Sequence, residues 1–72
     1  MQITGTNRAG RRRVLVIDDE PATTDWLKMV IEQSPAMPGY EVRAAGIGAR
    51  GIELFREWRP HVVLLDLLLP DI

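Results

Sequence analysis

"RVLVID", residues 13–18, is an unbroken run of β-branched and aliphatic side chains that ends in an acid, and its reading decides the fold. A half-wet strand alternates polar and apolar residues, whereas a continuous apolar run is the pattern of a parallel strand covered on both faces. The pattern returns at "HVVLLD", residues 61–66, again closing on an acid. Between the two lies "YEVRAA", residues 40–45, where Glu41 and Arg43 interrupt the apolar positions. That alternation reads as an edge strand with one wet side.

Helical segments separate the strands. "EPATTDWLKMVIEQ" (20–33) has Pro21 suited to a first turn, Asp19 ahead of it as a cap, and Trp26, Leu27, Val30 and Ile31 as one apolar stripe. "SPAMPG" stops it, because two prolines and a glycine cannot continue a helix. "GARGIELFREWR" (48–59) is a second helix, with Ile52, Phe55 and Trp58 spaced to face a sheet and Pro60 ending it. The result is an α/β chain, β-α-β-α-β. Short connections demand parallel strands with right-handed crossovers. With the two continuous runs inside and "YEVRAA" outermost, the strand order is 2-1-3. Reversing direction after the second strand puts the helices on opposite faces and makes a topological switch point beyond the strand ends.

Composition narrows the function classes. Seventy-two residues make one small domain with a marginal core, and 46% hydrophobic with 26% charged residues is ordinary for a soluble globular chain. No apolar run reaches the length of a membrane span, and "MQITGTNRAGRRR" has no apolar segment behind its basic residues, so it does not read as a secretory signal. A cytoplasmic location is the default. With no cysteine and His61 alone, thiolate and histidine-cluster metal sites are excluded, and any metal must be hard and oxygen-bound. The net charge of −1 gives no pull toward nucleic acid. Arg8, Arg11, Arg12 and Arg13 read as part of a solvated arm, with residues 1–11 flexible ahead of the first strand.

The strand order brings Asp18, Asp19 and Asp66 to one crevice. Three carboxylates held together repel unless they share a cation, and Mg²⁺ takes oxygen ligands completed by waters. With charge neutralised, one carboxylate can attack a phosphoryl group and form an aspartyl phosphate. Asp66 stands alone at its strand end and is the nucleophile candidate; Asp18 and Asp19 form a pair able to grip the metal. The blander account makes Asp19 a helix cap and Asp66 a turn residue.

"VLVIDDEP" followed by "HVVLLDLLLPD" resembles the first half of a response-regulator receiver domain, the phosphoacceptor module of two-component signalling. The resemblance runs from about Arg12 to Ile72 and implies a flavodoxin-like receiver fold truncated after its third strand. It implies that Asp66 is the phosphorylated aspartate, that Asp18 and Asp19 surround Mg²⁺, and that the backbone carbonyl of Leu68 joins the coordination. Pro70 and Asp71 match the loop after the phosphoacceptor. The implied phosphoryl donor is a histidine kinase or a histidine phosphotransfer protein, so the chain is a signalling phosphoprotein that assists its own phosphoryl transfer and not an enzyme with turnover. Nucleic acid would be met only through an effector domain not present here. The family's fourth strand with Ser or Thr and fifth strand with Lys have no counterpart, and Lys28, on the first helix, cannot stand in. Weak Mg²⁺ binding and little stable phosphorylation are expected of the 72 residues as they stand. The third strand then forms an apolar edge, from which partial unfolding or self-association through that strand is expected.

Two alternatives stand beside this reading. Gly46-x-Gly48-x-x-Gly51 has the spacing of a dinucleotide-binding turn, but it follows an edge strand and leaves the acids unexplained. A simpler account lets Gly46 turn out of the strand, Gly48 start the helix, and Gly51 bring it close to the sheet. A metal-dependent phosphohydrolase of the haloacid dehalogenase type would also place a nucleophilic Asp at a strand end. Its second acid, two residues on, falls on Leu68, which cannot protonate a leaving group.

Overall fold

The computed structural model describes residues 12–36 and 38–66. The N-terminal arm, Leu68, Pro70 and Asp71 lie outside the described residues.

The elements run β1 (Arg12–Ile17), α1 (Pro21–Gln33), β2 (Tyr40–Ala45), α2 (Gly48–Trp58) and β3 (Val62–Leu65). All strands are parallel and the sheet order is β2-β1-β3, as the distribution of apolar runs required. Val14 lies opposite Val42 on one side and Val62 on the other, and Ile17 opposite Ala45 and Leu65. β1 is therefore the centre of the sheet, and Val14 to Ile17 are all buried.

Period-two alternation along β1 divides the core between the two faces. Val14 and Val16 pack with Tyr40, Val42 and Ile31 on the α1 side, joined by Leu27 and Val62. Leu15 and Ile17 pack with Ala45 and Leu54 on the α2 side, joined by Trp58. One helix thus covers each face. On the α2 side the Arg43 guanidinium lies 4.7 Å from the centroid of the Trp58 ring, a cation–π contact that ties the end of α2 to β2.

The helices sit on the sheet by other faces than their large apolar residues suggest. In α1 the inward residues are Thr24, Leu27 and Ile31, while Trp26 and Val30 are exposed. Thr24 fits because it is small and its hydroxyl donates to Pro21 O at 3.0 Å, which satisfies its polar group where it is buried. In α2 the inward residues are Gly48, Gly51 and Leu54; Trp58 is half-buried as expected, but Ile52 and Phe55 are exposed. Gly51 is the reason. A Cβ built on it would meet Ile17 Cδ1, and would stand 2.8 Å from Ile17 Cγ1, so only the absence of a side chain lets α2 approach β1 this closely. Rotating the helix to bury Phe55 would give up that contact.

The connections follow local rules. Pro21 occupies the first turn of α1. Gly39 at φ +79 turns the chain into β2, and its carbonyl accepts from Arg12 N at 2.9 Å. α2 ends at Arg59, which takes the left-handed conformation at φ 54. Its N–H donates to Phe55 O at 3.2 Å, and its carbonyl accepts from Arg13 Nε at 3.3 Å and Nη2 at 3.1 Å. A cationic fork from β1 thus meets the negative end of the helix dipole. His61 extends the β1–β3 pairing: its N–H donates to Arg13 O at 2.8 Å, and its Nδ1 accepts from Arg13 N at 3.0 Å.

Along β3 the side chains of Val63, Leu64 and Leu65 are exposed, as an apolar strand at an edge requires. Among the described residues no helix is long and apolar enough to cross a membrane.

Candidate functional site

Beyond the carboxyl ends of β1 and β3 the chain leaves the sheet through Asp18 and Asp66. Each acid is pinned by one further ladder bond: Asp18 N donates to Ala45 O at 3.0 Å, and Asp66 N donates to Ile17 O at 2.8 Å. The regular sheet therefore fixes the backbone on which both carboxylates stand. Asp18 is held further because its Oδ1 accepts from Glu20 N at 2.9 Å, closing a tight turn into α1. The α1 N-terminus points at the same corner, and its partial positive charge favours anions there.

Asp19 does not cap α1, as its position had suggested. The N-cap residue is Glu20, with no side-chain cap hydrogen bond. The β1–α1 turn is closed by Asp18 instead, which leaves Asp19 exposed at the bend with its carboxylate toward the other two. Each of Asp18, Asp19 and Asp66 offers a carboxylate oxygen, and the three oxygens lie within 4.8 Å of one another. Opposite ligands of an octahedral Mg²⁺ stand about 4.2 Å apart, twice the Mg–O length of about 2.1 Å. Three hard oxygen donors with nearly this spread, half open to water, fit a divalent cation of that kind. The Leu68 carbonyl that would complete the set lies outside the described residues.

A cleft of about 260 Å³ opens beside the cluster on the α1 side, with Asp18 and Asp66 at its polar end and Val16, Leu27 and Leu64 among its walls. Sequence reasoning assigned Leu27 to the core alone. Its place on the inward stripe of α1 was the available signal, since that stripe passes the strand ends.

Gly46, Gly48 and Gly51 follow the edge strand β2 and occupy the places the simpler account gave them. α2 begins at Gly48 without a side-chain cap, and Gly51 rests on Ile17.

Comparison with known proteins points the same way. No family model matches the chain. Its relatives include the DNA-binding response regulator MtrA of Mycolicibacterium smegmatis, 38% identical over 60 residues, which cover 83% of this chain and 25% of that protein. The DNA-binding dual master transcriptional regulator RpaA of Synechocystis is 38% identical over 60 residues, covering 83% of this chain and 23% of the relative. The transcriptional regulatory protein TrcR of Mycobacterium tuberculosis is 40% identical over 60 residues, with 83% and 22% covered. The chain thus spans about a quarter of the length of the curated relatives it matches. Over those 60 residues it is a homologue of response regulators, with the β-α-β-α-β fold and 2-1-3 sheet of the first half of a receiver domain.

Proposed function

We propose that this chain is the phosphoacceptor part of a two-component response regulator, with Asp66 as the acceptor and Asp18, Asp19 and Asp66 as the carboxylate ligands of Mg²⁺. The observation that carries the reading is the convergence of the three carboxylates at the switch point, two of them fixed by the sheet's own hydrogen bonds. The donor is the phosphohistidine of a histidine kinase or a histidine phosphotransfer protein. An oxygen of Asp66 forms the new P–O bond as the P–N bond breaks, and the imidazole leaves with the electron pair and takes up a proton from water. Mg²⁺, when bound, offsets charge on the transferring oxygens. Asp18 is held rigid by Glu20 N–H, so it orients the ligand set, while the exposed Asp19 adjusts.

Because the names of two relatives describe DNA-binding regulators, the output is assigned to an effector domain elsewhere in the whole protein, acting in the cytoplasm. The apolar β3 edge is assigned to pairing with another strand.

Acetyl phosphate in the presence of Mg²⁺ tests the assignment by intact-mass spectrometry. The whole response regulator that carries this chain should gain one phosphoryl group that is labile to hydroxylamine, and its Asp66→Asn variant should gain none, whereas the 72 residues by themselves should gain little. Equal labelling of the Asn variant would remove Asp66 as the acceptor. Asp18→Asn/Asp19→Asn should lose the Mg²⁺-dependent labelling as well, because the metal is no longer held.

A further inference from the structure

The sheet has an edge at β2, and the phase of its hydrogen bonds tells which backbone groups face outward. Arg12 N donates to Gly39 O and Asp18 N donates to Ala45 O, so the odd-numbered residues of β2 pair with β1. The N–H and C=O groups of Tyr40, Val42 and Ala44 therefore point away from the sheet. Such a row is a template for another strand.

Its central residue is occupied. Glu32 Oε2 accepts from Val42 N at 2.8 Å, and Lys28 Nζ donates to Val42 O at 3.1 Å. The two side chains also meet each other at 3.4 Å, one turn apart on α1. Together they offer Val42 an acceptor and a donor, as a neighbouring strand would.

A role in helix stability alone does not account for the pair. At spacing i, i+4 the order Lys then Glu is the weaker of the two orientations, and an exposed pair of this kind contributes only about 0.3–0.5 kcal/mol. Both side chains instead lean onto the strand, and Glu32 is only 27% exposed. We propose that Lys28 and Glu32 form a clasp that closes the outer edge of β2 against strand addition. With Val42 engaged, the outward row is divided into two single residues, Tyr40 and Ala44, which cannot seat a partner strand between them.

Residue-resolved amide exchange on the full chain, at several protein concentrations, tests the clasp. In Glu32→Ala the Val42 amide should exchange at least tenfold faster while those of Val14 to Ile17 are unchanged. In Lys28→Met/Glu32→Ala the amides of Tyr40, Val42 and Ala44 should regain protection as concentration rises, the mark of a strand added at that edge. Glu32→Gln keeps an oxygen acceptor without the charge, so it should retain the protection of the parent. Unchanged Val42 exchange in Glu32→Ala, or no concentration dependence in the double variant, overturns the proposal. Should the double variant unfold, as loss of protection in β1 would show, Glu32→Gln decides: loss of Val42 protection in that variant alone overturns it equally.

Discussion

Gly51→Ala is the substitution whose sign separates close packing from ordinary helix propensity. At an exposed position inside a helix, replacing Gly by Ala stabilises by about 1 kcal/mol. At Gly51 the added methyl would meet Ile17 Cδ1 and stand 2.8 Å from Cγ1 and 3.2 Å from Cγ2. Comfortable carbon–carbon separation is about 3.5–4.0 Å, so the helix or the side chain must yield by roughly 0.7 Å or more. Both branches of Ile17 are involved, so the contact is not confined to the far end of the side chain. Overpacking of this size costs about 1–3 kcal/mol. After the propensity gain, the variant should be less stable by about 1 kcal/mol, a fall in Tm of about 4–8 °C for a domain this small. Urea unfolding followed by Trp58 fluorescence reads this directly, because Trp58 packs on the same cluster. A double-mutant cycle with Ile17→Ala should return a coupling of about 1–2 kcal/mol, the two changes together costing less than their sum. A stabilised Gly51→Ala, or a cycle that closes at zero, would refute the claim that this contact seats the helix.

Two further outcomes are expected. Arg59 holds φ 54 without being glycine, which costs an L-residue about 1–2 kcal/mol, so Arg59→Gly should raise stability by about 0.5–1 kcal/mol in urea melts after the entropy of glycine in the unfolded chain is counted. The carbonyl that accepts from Arg13 is kept in that variant. His61 is held below the ordinary histidine pKa of about 6.5, chiefly by partial desolvation and then by the charges of Arg13 and Arg12. Its Nδ1 accepts a hydrogen bond, so the folded chain prefers the neutral ring. The stability it contributes is therefore full above pH 6.5, falls as pH drops from there through its lower folded-state value, and levels off below it. His61→Asn, which retains an acceptor, should flatten that part of a stability–pH profile, and an unchanged slope would exclude His61 as its source.

The topology was legible because backbone pairing follows from which runs are apolar on both sides. "RVLVID" and "HVVLLD" are, "YEVRAA" is not, and the 2-1-3 order with its acids at one end follows from that difference alone. The rotation of each helix was not legible in the same way. α1 carries apolar residues on two faces, and Leu27 and Ile31 were read correctly, while Trp26 and Val30 point outward. What selects between the faces is polar: Lys28 and Glu32 must reach Val42, which a count of hydrophobic positions does not register. In α2 the selecting residue has no side chain at all. Periodicity gave Ile52 and Phe55 weight for their size, whereas the sheet accepts the helix through Gly51.

The seating of α2 also bears on the acids. Ile17, the residue against which Gly51 rests, is the last of β1, and its carbonyl holds Asp66 N–H while its successor is Asp18. A displacement of Ile17 is passed directly to two of the three carboxylates, one through the chain and one through a hydrogen bond. The glycine that resembled part of a nucleotide-binding turn therefore bears on the acidic cluster by packing: it sets how closely a helix lies on the strand end that carries the ligands. The two acids are aligned because both depend on Ile17, and helix and cluster should be perturbed together or not at all.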